Sequence, residues 1–168
     1  MPRIFAVTNR RSTGDRPFLS FIKEVVLAGV DAIILREKDL APADLYRLAC
    51  SVQKICDGTE TRLLINTSIE VALAAGADGV HLGAGSLPPD AARRIMPGGI
   101  IGVSVHSPAE AVKAAAKGAD YILAGHVFPT RSKPGQDGRG PGFITQIAEL
   151  VTIPVIGIGA STPGMPVR

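Results

Sequence analysis

One stretch of the sequence places a histidine close to side chains that can bind phosphate. The segment YILAGHVFPTRSKPG, residues 121–135, runs from an apolar strand through His126 into a loop that carries Thr130 and Lys133. An unperturbed histidine has a pKa of about 6.5, so it can both take and give a proton near neutral pH. Hydroxyl and ammonium groups are common partners of phosphate oxygens. The segment therefore predicts a functional role for His126, beside a loop that can bind an anionic group.

Polar residues also follow other apolar segments of the chain. In LREKDL, residues 35–40, the two cations are two positions apart, which places them on the same side of an extended chain. A Gly-rich turn after a later strand offers backbone N–H groups to an anion. Cations outnumber carboxylates at these positions, which favours a phosphorylated small molecule over a protein-bound metal ion. We expect no organic cofactor either. The predicted substrate- and phosphate-binding residues are Arg36, Lys38, Asn66, Ser104, Thr130, Lys133, Gly157 and Gly159.

A short repeat indicates which elements position these side chains. The pattern Gly-x-Asp followed by an apolar run occurs at Gly29, Gly76 and Gly118. A glycine in that place is typical of a helix end, and the apolar run predicts a strand. Apolar segments between the repeats supply further strands. The seven predicted strands lie near residues 3–8, 31–36, 62–66, 78–82, 100–104, 120–124 and 154–158.

Strict alternation of apolar strands with amphipathic helices predicts an α/β fold with a parallel sheet covered by helices. We expect a (β/α)8 TIM barrel rather than an open doubly wound sheet, because alternate strands repeat one another and no G-x-G-x-x-G follows the first strand. The chain ends at Arg168, before an eighth strand. The expected architecture is therefore one barrel domain over residues 1–168, truncated after strand seven and lacking the last strand and helix.

Composition excludes several classes of function. The chain has 168 residues, a formal net charge of +3 and 46% hydrophobic residues. Its cations are scattered and are not interleaved with aromatic residues, which disfavours a nucleic-acid partner. No segment approaches the apolar length of a membrane span or resembles a signal peptide. We therefore expect a cytoplasmic protein with no membrane partner, and a homo-oligomer.

Taken together, the strand-end motifs resemble the thiamine phosphate synthase and TenI superfamily of barrels. The resemblance runs from Phe5 to about Pro163 and includes LREKDL, ADGVHLG, IGVSVHS, GADYILAGHVFPTRSK and IPVIGIG. In the synthase branch, the resemblance implies a pyrimidine diphosphate and a magnesium ion held by two aspartates. This sequence has Thr67 and Ser86 at those two positions. The anion-binding positions match, whereas both magnesium carboxylates are missing.

The missing carboxylates and the GHVF motif, residues 125–128, favour the TenI-type branch, which the resemblance describes as a thiazole tautomerase. We therefore predict an isomerase of thiamine biosynthesis that aromatises a carboxythiazole phosphate, with His126 moving the proton. Thr130 and the backbone of residues 157–159 would hold the phosphate, and Ser104 or the cations would hold the carboxylate. Two alternatives stay open. One is a thiamine phosphate synthase that joins hydroxymethylpyrimidine diphosphate to thiazole phosphate, with magnesium, and the other is a non-catalytic ligand-binding or regulatory barrel.

Overall fold

The computed structural model describes residues 3–129 and 137–159, so the predicted binding residues Thr130 and Lys133 lie outside the described part of the chain. Seven parallel strands form one sheet in which each strand pairs with the next in sequence, from β1 to β7. Helices connect the strands, as a barrel with right-handed crossovers requires. The strands are β1 Phe5–Val7, β2 Ala32–Leu35, β3 Arg62–Asn66, β4 Gly79–Leu82, β5 Ile100–Val105, β6 Tyr121–Gly125 and β7 Val155–Ile158. The helices are α1 Phe18–Leu27, α2 Pro42–Cys56, α3 Ile69–Ala75, α4 Pro89–Ile95, α5 Pro108–Ala116 and α6 Pro141–Ala148, with a short 3-10 turn at Arg10–Ser12.

The predicted fold class is confirmed, because the parallel strands and intervening helices form most of a TIM-like barrel. The strand bounds agree with the prediction to within about two residues. At the site, β6 ends at Gly125, one residue later than predicted, so His126 lies just beyond the strand. None of the helices within the described ranges combines the length and apolar character needed to cross a bilayer. Cytoplasmic localisation and a homo-oligomeric state stay predictions.

Alternate residues of each strand pack on opposite faces of the sheet. Ile33 and Leu35 of β2 belong to an apolar cluster with residues of α1 and α2, on the outer face. Ala32 and Ile34 pack instead against the equivalent residues of distant strands, such as Leu123, on the inner face. This two-residue alternation decides which polar residues at the strand ends reach the interior of the barrel.

The Gly-x-Asp repeat has a structural explanation. Its three glycines adopt left-handed conformations, with φ between 66° and 84°, which glycine reaches without the steric cost of a Cβ atom. Each aspartate then accepts a hydrogen bond from a backbone N–H group at the start of the preceding strand. The pairs are Asp31 with Ile4 at 2.7 Å, Asp78 with Leu63 at 2.8 Å, and Asp120 with Ile101 at 2.7 Å. The repeat therefore fixes the register of neighbouring strands at the end of the barrel opposite the predicted site.

Side-chain hydrogen bonds fix the start of helix α5. Ser107 accepts a hydrogen bond from the backbone N–H of Glu110, and the Glu110 carboxylate accepts one from the backbone N–H of His106. The first bond satisfies a backbone donor of the first helical turn, and the second joins Glu110 to the residue that precedes the cap. These bonds fix the point at which the chain leaves β5, directly after Val105 and next to Ser104.

Candidate active site

A chain of three hydrogen-bonded side chains crosses the interior of the barrel. His81 of β4 lies between Tyr121 of β6 and Ser104 of β5: its Nδ1 atom is 2.8 Å from the Tyr121 hydroxyl, and its Nε2 atom is 2.8 Å from Ser104 Oγ. His81 and Tyr121 are both only 3% exposed, whereas Ser104 is half-buried. Both ring nitrogens of this buried histidine therefore have hydrogen-bond partners. The partner Tyr121 was missed because it is 40 residues away along the chain.

This network is electrically neutral near pH 7. Burial, reinforced by the positive charge of Arg36, lowers the pKa of His81 to about 4. Burial also raises the pKa of Tyr121 above its usual value. Both effects follow from the cost of placing a charge where water cannot reach it. The electrostatic effect on His81 also places the predicted binding residue Arg36 close to the network that contains Ser104.

The position of Arg36 is fixed through its backbone. Its N–H donates to Thr8 Oγ1 at 2.9 Å, and the Thr8 hydroxyl donates to Glu37 Oε1 at 2.6 Å. Glu37 is buried and also accepts from the backbone N–H of Arg10. The Glu37 carboxylate therefore faces away from Arg36, as the alternation along the strand predicts. Thr8 is a site-supporting residue that could not be recognised from the sequence, since it follows β1 with no motif around it.

Two cationic side chains at the carboxyl end of the strands have no protein counter-ion among the described residues. The other nearby carboxylate, Asp39, is paired with Arg10 at 2.6 Å and Arg11 at 2.9 Å. Within residues 3–129 and 137–159, neither Arg36 nor Lys38 forms an ion pair. A positive side chain without a protein counter-ion is well suited to an anionic ligand.

Lys38 and Asn66 are brought together by β2 and β3. Both line a cavity of about 230 Å³, together with Thr67, Ser68 and Glu70. Lys38 is exposed and Asn66 is half-buried at the end of its strand. The cavity is thus open to a small charged molecule. Four predicted binding residues, namely Arg36, Lys38, Asn66 and Ser104, therefore occupy the same end of the barrel.

The other predicted residues lie around the end of β6 and β7. His126 is buried, at 7% exposure, and its carbonyl accepts a hydrogen bond from the backbone N–H of Arg139. Gly159 lies against the backbone of Val127 and Phe128, where a Cβ atom would come within 2.8 Å of the Phe128 nitrogen. Gly157 is exposed on β7, on the side of α6. Close backbone packing explains Gly159, while its role in phosphate binding stays a prediction, as does the catalytic role of His126.

The positions that would hold magnesium in the synthase branch do not fit that ion. The Thr67 hydroxyl donates to the carbonyl of Asn66 at 2.7 Å, and Ser86 Oγ accepts from the backbone N–H of Gly83 at 3.1 Å. Neither side chain carries charge, and both line a cavity of about 500 Å³ with apolar walls that include Leu73 and Leu87. Among the described residues, no three carboxylate, imidazole or thiolate groups converge on a point that could hold a metal ion. Magnesium prefers carboxylate oxygens, so the donor set does not match it.

Comparison with known proteins decides the family. A family model described as thiamine monophosphate synthase matches residues 4–165. The chain belongs to this family. A thiamine-phosphate synthase from Chlorobium limicola is 42% identical over 159 residues, which cover 87% of this chain and 76% of that protein. A putative thiamine-phosphate synthase 2 from Aquifex aeolicus is 38% identical over 96% of this chain and 87% of its own length. Among solved structures, a thiamine phosphate pyrophosphorylase from Pyrococcus furiosus superposes with a TM-score of 0.85 at 34% identity, covering 95% of this chain and 76% of that one.

These findings correct the predicted reaction. Relatives named thiamine-phosphate synthase are between 37% and 43% identical to this chain, so the prediction of a thiazole tautomerase, and of an isomerase, is wrong. The family comparison favours the synthase, a transferase, which was the first alternative. The prediction of a tautomerase depended on the GHVF motif and on two substituted aspartate positions, whereas the similarity to synthases extends along the whole chain.

Proposed function

We propose that this member of the thiamine monophosphate synthase family joins a pyrimidine diphosphate to a thiazole phosphate, forming thiamine phosphate and pyrophosphate. The observation that carries the proposal is the 42% identity to a thiamine-phosphate synthase across 87% of the chain. In this reaction the carbon–oxygen bond between the pyrimidine methylene group and the diphosphate breaks, and its electron pair leaves with pyrophosphate. The thiazole nitrogen supplies the electron pair for the new carbon–nitrogen bond.

The arrangement of charges supports this proposal. Negative charge accumulates on the diphosphate as its bond to carbon breaks, and a fixed cation beside it lowers the energy of that transition state. Arg36 and Lys38 lack protein counter-ions in the described structure and stand at the end of β2. Asn66 lies beside Lys38 in the same cavity and offers amide N–H groups to an oxygen atom. We therefore assign these three residues to the diphosphate.

The barrel interior would contribute mainly by staying neutral. His81 and Tyr121 carry no charge near pH 7, because burial disfavours the charged form of each. Neither side chain therefore changes the positive charge that Arg36 provides. Thr67 and Ser86 do not provide a magnesium site, so the proposed reaction does not depend on a metal ion held by these two residues.

The proposal is tested by pyrophosphate release from the two substrates, measured once with magnesium and once with a chelator. We expect release that requires both substrates, and a loss of about 10²–10³-fold in kcat for Lys38→Met, comparable to the loss of one donor that stabilises a developing charge. Lys23→Met is the matched control, because Lys23 is exposed on α1 away from the site. No release under either condition would refute the proposal, and equal activity of both variants would remove Lys38 from the site.

One observation favours a second candidate, a barrel that binds the same ligands without turning them over. Both positions that would hold magnesium in the synthase branch carry hydroxyl side chains, so the site has less positive charge to stabilise a leaving diphosphate. Under this alternative the wild-type chain would bind pyrophosphate in calorimetry but would form no thiamine phosphate with or without magnesium. Product formation would exclude it.

A further inference from the structure

The buried chain Tyr121–His81–Ser104 raises a question of direction: which group donates in each hydrogen bond. A tyrosine hydroxyl and a serine hydroxyl can each donate or accept, and a neutral imidazole has one donor and one acceptor nitrogen. Two arrangements are therefore chemically possible. They differ in whether the hydrogen of the Ser104 hydroxyl is taken up by His81 or is available to a ligand.

The surroundings of Tyr121 select one arrangement. Its ring is buried, with Phe5 packed edge-on at 5.0 Å between ring centroids and Gly102 directly against it. Gly102 leaves room for the ring, because any Cβ atom there would overlap it. In the described part of the chain, the only polar atom bonded to the Tyr121 hydroxyl is His81 Nδ1. A buried hydroxyl hydrogen without an acceptor costs about 1–3 kcal/mol, so Tyr121 donates to Nδ1.

The direction of the Tyr121–His81 hydrogen bond also fixes the direction of the bond between His81 and Ser104. If Nδ1 accepts, a neutral imidazole carries its hydrogen on Nε2, and Nε2 then donates to Ser104 Oγ. Burial keeps the imidazole neutral near pH 7, since the pKa of His81 falls to about 4. Ser104 Oγ thus accepts from His81 and keeps its own hydrogen free. Ser104 is half-buried on the inner face of β5, at the end of the barrel where Arg36 lies.

We propose that His81 and Tyr121 are positioning residues that hold Ser104 as a hydrogen-bond donor toward an anionic oxygen of the ligand. In the opposite arrangement, Ser104 would donate to His81 and present only lone pairs, which repel a phosphate oxygen. The direction of the two buried bonds therefore decides whether Ser104 favours or disfavours an anion. The inference rests on the proposed function only for the ligand class, a phosphate or diphosphate.

The direction of the bonds is measured directly by the tautomer of His81. We would record the ring nitrogen resonances of the 15N-labelled full chain at pH 7 without ligand. Only three histidines are present, so variants at each position assign the signals. The expected result is a protonated Nε2 and an unprotonated Nδ1. A His81 ring that carries its hydrogen on Nδ1, or on both nitrogens, overturns the inference whether or not the chain makes thiamine phosphate.

The consequence for binding is tested with inorganic pyrophosphate in calorimetry. We expect Ser104→Ala to weaken binding about tenfold, the loss of roughly one hydrogen bond to a charged group. Tyr121→Phe should weaken binding severalfold in the wild-type background and have no further effect in the Ser104→Ala background. Tyr46→Phe, an exposed tyrosine on α2, is the matched control and should change nothing.

Two outcomes of the binding experiment would contradict the inference. Equal losses from Tyr121→Phe in both backgrounds would show that the tyrosine acts only on the general stability of the barrel. An unchanged affinity in Ser104→Ala would show that Ser104 does not donate to the anion. The tautomer is determined without substrate, so the reaction proposed above and the positioning role fail independently.

Discussion

The stability of this protein should fall steeply as the pH drops from neutral toward 5, and His81 should account for much of the fall. Its folded-state pKa of about 4 lies below the ordinary value of 6.5. Burial is the larger cause of this shift, and the charge of Arg36 is the smaller one. Between these two values the unfolded chain binds a proton that the folded chain does not. Protonation therefore favours unfolding, and stability is present above pH 6.5 and lost as the pH falls toward 4.

The size of the effect follows from the two pKa values. A single group with these constants makes the free energy of unfolding about 2 kcal/mol smaller at pH 5 than at pH 7. All other titratable groups are common to the wild type and to a variant at His81. A difference between the two proteins therefore isolates His81.

The assay is urea unfolding at pH 7 and pH 5 for the wild type and His81→Gln. We expect His81→Gln to be less stable than the wild type at pH 7, but to lose about 2 kcal/mol less on acidification, because glutamine does not titrate. Equal losses for the wild type and His81→Gln would refute the argument that a buried neutral imidazole crosses the barrel.

Three further predictions concern the strand register and the two positions, Thr67 and Ser86, at which the synthase branch has aspartates. Asp78→Ala should lower the free energy of unfolding in urea by about 2 kcal/mol, because it leaves the Leu63 N–H without its charged partner. Asp44→Ala is the control and should change it by no more than about 0.5 kcal/mol, because it breaks only an exposed ion pair. Similar losses for both variants would contradict the role of Asp78 in strand register. Thr67 adopts a φ of 66°, which is strained for a β-branched residue, so Thr67→Asn should gain about 1 kcal/mol, and a loss of stability would count against that strain. Replacing both Thr67 and Ser86 by aspartate should create magnesium binding detectable by calorimetry, while the wild type binds none under the same conditions; equal heats would contradict the misfit of the present donor set.

Much of the fold could be predicted because its signals are local. Apolar runs locate all seven strands, and three of these runs directly follow a Gly-x-Asp motif. The repeated aspartates were recognisable as markers of strands. Their bonds to the preceding strand were not, because each bond joins residues that are 15 to 27 positions apart.

The site was predicted less completely, for a physical reason. Arg36, Asn66 and Ser104 could be placed at strand ends by two-residue alternation. The partners that hold them, such as Thr8 and Tyr121, come from other strands and have no local signature. The predicted reaction was wrong because it depended on the side chains at two positions. The hydroxyl groups of Thr67 and Ser86 indicate which ion they do not bind, but they do not indicate which substrates the barrel accepts.

The most direct test of the account is to incubate the chain with hydroxymethylpyrimidine diphosphate and thiazole phosphate and to detect thiamine phosphate by mass spectrometry. We expect thiamine phosphate and pyrophosphate in equal amounts, with formation abolished when either substrate is omitted. The absence of thiamine phosphate with magnesium and with a chelator, from protein shown to be folded, would contradict the proposed synthase activity.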